Sequence, residues 1–269
     1  MKSHRPRNEK AVVRKGDVMK NVSRVYRASD AHWVGDGFPV SNMFSYSRHA
    51  GEISPFLLLD YAGPQEFEPT SKPRGVEQHP HRGFETVTVV YQGEVEHSDS
   101  AGNSGTIGPG DVQWMTAARG ILHEEMHGRD FTKRGGTLEM VQLWVNLPAR
   151  DKMSAPGYQD IRDRDIPEMP LSTEGSIVRI IAGELGGTRG PARTHTPVNL
   201  WDVRLKAGNK STLEVPEGHT TIVLVLSGSV TINGSETVNA AELAMFEREG
   251  DNISFDASED TTLLVMDGE

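Results

Sequence analysis

The sequence predicts an all-β protein built as two copies of one barrel plan. Three observations carry this. Apolar runs are short and are punctuated by Gly, Pro, Asn and Asp, the pattern of a sandwich or barrel. Long helical periodicity is scarce. The chain also repeats itself. With Gly93 set on Gly228, residues 83–93 lie over residues 218–228, Thr106-Ile107 falls on Thr237-Val238, and Asp111-Val112 on Glu242-Leu243. Two units of about 100 residues each suit a chain of 269.

Taken in order, residues 1–22 read as a mobile basic arm. Lys2, Arg5, Arg7, Lys10, Arg14, Lys15 and Lys20 face only Glu9 and Asp17. The arm lacks an apolar h-region and is not a secretory signal. Met19 can serve as an alternative start. Residues 23–150 read as the first barrel. Its clearest strand is Thr86, Val87, Thr88, Val89, Val90, Tyr91, all β-branched or aromatic. Gln92-Gly93-Glu94 interrupts it as a turn or bulge does. Residues 98–105 read as a polar hairpin loop, and Pro109-Gly110 as a tight turn. Residues 112–115, 121–126 and 138–146 read as strands. Residues 151–175 read as a linker, rich in Asp and Arg, with a short helix over residues 158–164. Residues 176–269 form the second barrel, with the strand pattern running from Ile177 to Met266.

Composition narrows the function. A net charge of −10 argues against general nucleic-acid binding, which needs a basic face. No apolar run approaches a membrane span. With no cysteines, disulfides, thiolate ligands and cysteine nucleophiles are excluded, and the chain fits a cytoplasmic protein.

The chemistry concentrates in His79-Pro80-His81-Arg82-Gly83-Phe84-Glu85 and in Gly120-Ile121-Leu122-His123-Glu124-Glu125. In a strand, side chains two apart share a face. His79 and His81 therefore point one way, and so do His123 and Glu125. If the two strands are neighbours, three imidazoles and a carboxylate converge. Such a set suits a first-row divalent ion with open positions: Fe(II) best, with Mn, Ni, Co or Cu also fitting. Spacing alone leaves the carboxylate open, because Glu85 shares parity with His81, though about 13 Å along an extended strand. Glu124 has the wrong parity and reads as solvent-facing. His127 has the right parity but lies farther along, at the pocket rim or behind the ligands. In the second copy, His79, His81, His123 and Glu125 fall on Glu214, Pro216, Ser254 and Asp256. One metal per chain, in the first barrel, is the expectation. His219 reads as an ordinary surface or turn histidine.

His79-Pro80-His81-Arg82-Gly83-Phe84-Glu85-Thr86, Pro109-Gly110-Asp111-Val112-Gln113-Trp114-Met115-Thr116, Gly120-Ile121-Leu122-His123 and Leu143-Trp144-Val145-Asn146-Leu147 resemble the pirin family of the cupin superfamily. The resemblance covers residues 23–267. It implies a bicupin: two stacked cupin (jelly-roll) β-barrels, with a mononuclear iron in the first. The implied ligands are His79, His81, His123 and Glu125. The implied activity is quercetin 2,3-dioxygenase: opening of a flavonol ring by O2 with release of carbon monoxide, Glu125 also activating the flavonol hydroxyl. The family also implies a further C-terminal segment that packs back on the protein, whereas this sequence ends at Gly268-Glu269. Two other function classes stand beside the enzyme. One is an iron-dependent redox-sensing regulator that binds a protein partner without turnover. The other is an isomerase or lyase on a polar sugar or acid, since fold does not fix function.

Overall fold

The computed structural model describes residues 18–28, 30–171 and 175–269. Two seven-stranded antiparallel sheets dominate it, each backed by a four-stranded sheet. In the first barrel the large sheet runs Gly157–Ile161, Val112–Thr116, Phe84–Gln92, Gly136–Asn146, Phe56–Phe67, Phe38–Ser45, His32–Val34. Its small sheet runs Gly75–His81, Ile121–His127, Val95–Asp99, Ser104–Ile107. The second barrel repeats the plan. Its large sheet runs Val22–Arg27, Glu242–Phe246, Thr220–Ser227, Thr261–Gly268, Val198–Leu205, Ile177–Ala182, Glu168–Pro170. Lys210–Glu214, Asn252–Ala257, Ser229–Ile232 and Glu236–Asn239 form the small one. The protein is thus all-β, two jelly-roll barrels in one chain. No helix among the described residues is long and apolar enough to cross a membrane.

The internal repeat is visible in the backbone. Gly83 and Gly218 precede equivalent strands with φ of +82° and +87°, and Gly93 and Gly228 follow them at +86° and +78°. Only glycine takes these angles without steric cost.

Large sheets buried on both faces explain the near-continuous apolar strands. Alternate residues serve two cores. Val87, Val89, Leu143 and Val145 of the first barrel join Ile222, Leu224, Leu264 and Met266 of the second in one core between the barrels. The opposite face of the second large sheet, with Trp201, Val223, Val225 and Val265, fills the second barrel. Each such side chain contributes roughly 1.5–3 kcal/mol when fully buried. Polar pins cross the same interface. The Tyr61 hydroxyl lies 2.8 Å from the Glu139 carboxylate and 3.2 Å from the Leu226 carbonyl. The buried Arg179 donates to Asp202 at 2.7 Å and to the Gly110 carbonyl at 2.9 Å.

Two segments depart from the sequence reading. The helix expected over residues 158–164 is absent. Gly157–Ile161 is a strand paired with Val112–Thr116, and only Asp163–Asp165 forms a single 3-10 turn. Such a short segment cannot nucleate a stable helix alone. The open edge of Val112–Thr116 offers it a complete ladder, and Tyr158 packs against Met115, Ala117 and Ile121. At the other end, Val22–Arg27 pairs with Glu242–Phe246, so this strand completes the second barrel although it precedes the first in sequence. The arm is docked from residue 18: Lys20 is buried and its ammonium donates to the carbonyls of Arg248 at 2.8 Å and His219 at 3.2 Å. Residues 1–17 of the expected arm lie outside the described residues.

Candidate metal centre

Gly75–His81 and Ile121–His127 are paired antiparallel, with His79 opposite His123 and His81 opposite Ile121. The register shifts between His123 and Glu125, so that Glu125 lies opposite Val76. The irregularity re-aims side chains beside the site, the common use of a bulge. Parity does the rest. Ile121, His123, Glu125 and His127 are buried inside, while Leu122 is exposed outside.

The three imidazoles converge. His79, His81 and His123 offer ring nitrogens that all lie within 4.8 Å of one another, the one such group of His, Asp or Glu among the described residues. Nε2 of His79 and Nε2 of His123 are 2.9 Å apart. Two nitrogens bound at about 2.1 Å in adjacent octahedral positions lie about 3 Å apart, so this spacing fits a metal edge. The tautomers fit as well. Nδ1 of His79 lies 2.9 Å from the Glu77 carbonyl, a bond that places its proton there and leaves Nε2 as the lone pair. Burial, reinforced by the neighbouring imidazoles, lowers the pKa of His81 and of His123 to about 3. Both are neutral at pH 7, the form a metal requires.

The carboxylate of Glu125 is not part of the three-nitrogen group, but it lines the same cavity as His79 and His81. Gln142 Nε2 donates to its two oxygens at 3.1 and 3.0 Å; the single Thr88 hydroxyl proton is shared between Gln142 Oε1 at 3.1 Å and Glu125 at 3.3 Å. Burial pushes its pKa up, and the Gln142 bond opposes that rise. Glu85, the other sequence candidate, does not share the cavity. Gly83 turns the chain between two strands, so parity restarts. Phe84 lines the cavity, while Glu85 takes the same face as Val87 and accepts 2.6 Å from Thr116 Oγ1. Glu124 is on the outer face, accepting 2.6 Å from Ser98. His127 is a core residue among Phe38, Phe67 and Phe131, with Nε2 2.8 Å from the Gly37 carbonyl.

The cavity beside the imidazoles holds about 450 Å³, within the range of small-molecule sites. Val34, Phe38, Val40 and Met140 make apolar walls. Phe84 and Trp144 are stacked at 4.5 Å on its lining. A polar row crosses the inner face of the large sheet. Asn42 pairs in register with Asp60, Asp60 with Gln142, Gln142 with Thr88, and Thr88 with Gln113. Sequence reasoning missed this row. The signal was present: Asp60 and Gln142 are lone polar residues inside the apolar runs Leu57-Leu58-Leu59-Asp60-Tyr61 and Met140-Val141-Gln142-Leu143-Trp144.

In the second barrel the matching row is Ile180, Trp201, Val265, Val223, Ala244, all apolar and fully buried. Its interior is filled. The sequence alignment is corrected in one respect. Ser254 and Asp256 face outward; Ile253 and Phe255 occupy the inner face where His123 and Glu125 stand in the first barrel. Glu214 is likewise exposed, between the buried Leu213 and Val215. His219 is not an ordinary surface residue. Its Nδ1 lies 2.8 Å from the buried Asp267, which also accepts from Thr221 and Asn199.

Comparison with known proteins identifies the family. Residues 37–145 match the family model described as Pirin, and residues 200–269 the one described as Pirin C-terminal cupin domain. A Pseudomonas aeruginosa protein, named provisionally as a quercetin 2,3-dioxygenase, is 56% identical over 251 residues, covering 93% of this chain and 87% of its own. A crystal structure of quercetin 2,3-dioxygenase from Acinetobacter baumannii is 53% identical, covers 93% of this chain and 87% of its own, and superposes with a TM-score of 0.91. Human pirin is 39% identical over 191 residues, which is 71% of this chain and 61% of human pirin. Two domain matches in order, and relatives this similar along nearly the whole chain, make the protein a member of the pirin family.

Proposed function

We propose that the protein is a cytoplasmic, iron-dependent dioxygenase that opens the ring of a flavonol such as quercetin with release of carbon monoxide. One observation carries the reading: three imidazoles meet beside an apolar-walled cavity that also holds a buried carboxylate. The name of the 53%-identical Acinetobacter baumannii structure supports the substrate class. His79, His81, His123 and Glu125 would hold one divalent ion, Fe(II) first, with Mn, Ni, Co and Cu also suited to such a donor set. The bound ion supplies Lewis acidity, a one-electron couple and open positions for oxygen ligands.

The chain's own residues do the rest. Glu125 accepts the proton of the flavonol hydroxyl. Gln142 and Thr88 fix the carboxylate so that its lone pairs point predictably. Phe84 and Trp144 offer flat apolar surface to the rings and exclude water. Both atoms of O2 enter the ring-opened product while one ring carbon leaves as carbon monoxide. Chemistry is assigned to the first barrel, which includes the strand Gly157–Ile161; the second, which takes in Val22–Arg27 and Glu168–Pro170, is a supporting or interaction barrel.

The test is anaerobic loading with Fe(II), then admission of air and quercetin, following quercetin absorbance and carbon monoxide together. Stoichiometric loss of one and release of the other is expected. Absence of turnover, with a protein partner bound differently by the Fe(II) and Fe(III) forms, would replace the enzyme with the redox-sensing regulator.

A further inference from the structure

The polar row holds one acceptor that the metal chemistry does not use. Asp60 lies on Phe56–Phe67, in register with Asn42 on one side and Gln142 on the other. Its carboxylate accepts 2.7 Å from Asn42 Nδ2, and no other hydrogen bond reaches it among the described residues. It lines the same cavity as His79, His81 and Glu125. Val40, Leu58, Phe38 and Met140 give the same cavity its apolar lining. Burial pushes its pKa up, against the opposing bond from Asn42 and the charge of the nearby His32.

The fold does not require this arrangement. At the equivalent register position the second barrel carries Trp201, with Ile180 in place of Asn42, and both are fully buried. Asp60 is half-buried and neither of its oxygens is both sealed and unbonded, so a ligand that fills the cavity without donating to the carboxylate would strip its solvation at a cost. The first barrel therefore keeps at Asp60 a group that a filled barrel dispenses with, and keeps it facing the cavity.

We infer that Asp60 is a specificity residue, accepting a hydrogen bond from a ring hydroxyl remote from the atoms of the substrate that bind the metal. The inference rests on the flavonol reading above and deepens it. The site then holds a planar polyhydroxylated aromatic at two polar points, the metal and Asp60, with the apolar walls between them. A ligand lacking the remote hydroxyl leaves the carboxylate desolvated and unpartnered. Sites of this kind reject the analogue that lacks the polar group far more strongly than apolar pockets reject a size change.

The experiment is an anaerobic fluorescence titration of the Fe(II)-loaded protein with quercetin and with 3-hydroxyflavone. Both carry the chelating hydroxy-ketone, and only quercetin carries further ring hydroxyls. The readout is the ratio of the two affinities. In Asp60→Ala that ratio should fall about 10- to 100-fold, the strength of one hydrogen bond to a charged group, with 3-hydroxyflavone binding unchanged or tighter. The double variant Asn42→Leu/Asp60→Leu, which removes both partners and copies the apolar row of the second barrel, should show the same fall. In turnover, the loss should appear in KM for quercetin more than in kcat. A wild-type ratio retained in both variants overturns the inference, and so does an equal loss for both ligands, which would mark a structural role. Failure of the wild-type protein to bind either flavonol would overturn the flavonol reading itself, and the inference with it.

Discussion

Glu125 depends on Gln142, and the dependence has a size. Gln142 Nε2 makes the two shorter contacts to the buried carboxylate, at 3.1 and 3.0 Å, while Thr88 Oγ1, 3.3 Å away, lies nearer to Gln142 Oε1 at 3.1 Å. Gln142→Leu removes them in a near-isosteric way; the second barrel has Val265 at the equivalent place. A hydrogen bond to a charged group is worth about 1.5–3 kcal/mol, so the metal-free protein should lose about 2 kcal/mol. For a chain of this size, that lowers Tm by roughly 4–8 °C. In a Glu125→Gln background, where the acceptor carries no charge, the same change should cost under about 1 kcal/mol. The assay is the thermal unfolding of the four metal-free proteins at mildly alkaline pH, read as a double-mutant cycle. A coupling of at least about 1 kcal/mol is expected. Additivity within about 0.5 kcal/mol would refute the claim that Gln142 holds the carboxylate.

Other expectations concern the ligand set, acid stability and the N-terminus. Glu125→Ala should abolish turnover and weaken metal binding, while Glu124→Ala and Glu85→Ala keep the metal; iron analysis of the three decides it, and loss of metal from Glu85→Ala alone would move the fourth ligand. His81 and His123 titrate near 3 in the metal-free protein and near 6.5 when unfolded, so the unfolded state binds more protons between those values. Their contribution is fully present above pH 6.5 and is lost as pH falls toward 3, by up to about 1.4 kcal/mol per pH unit for each histidine. A His81→Gln/His123→Gln variant should flatten that slope in urea titrations, and an unchanged slope would count against it. A chain starting at Met19 should keep its melting temperature and metal content. One starting at Ala28 should melt lower, because it loses the strand Val22–Arg27 and the buried Lys20; an equal Tm for the two would show that the strand adds nothing.

Much of the site was legible because strand parity is a local property. His79 with His81, and His123 with Glu125, share faces by spacing alone, and the structure keeps both pairs inside. Parity fails across a turn, which is why Glu85 looked in phase with His81 and is not: Gly83 intervenes at φ +82°. The same sensitivity misplaced Ser254 and Asp256. A one-residue error in aligning a strand moves every side chain to the other face. Asp60 and Gln142 were visible as polar interruptions of apolar runs. That they meet beside Glu125 depends on the register of strands distant in sequence, which no local pattern supplies. The pairing of His219 with Asp267, 48 residues on, is equally non-local. Residues 158–164 failed for a different reason: a short polar stretch has weak preferences, and the edge of Val112–Thr116 decides its conformation.

The central claim is one metal per chain, held by His79, His81, His123 and Glu125 in the first barrel. Elemental analysis of iron-loaded protein, wild type beside His79→Ala/His81→Ala, tests it most directly. The wild type should hold close to one equivalent. The variant should hold essentially none, yet melt near the metal-free wild type, because the filled second barrel and the core between the barrels owe nothing to the ion. A full equivalent of iron retained by the variant would put the site elsewhere in the molecule and contradict the account.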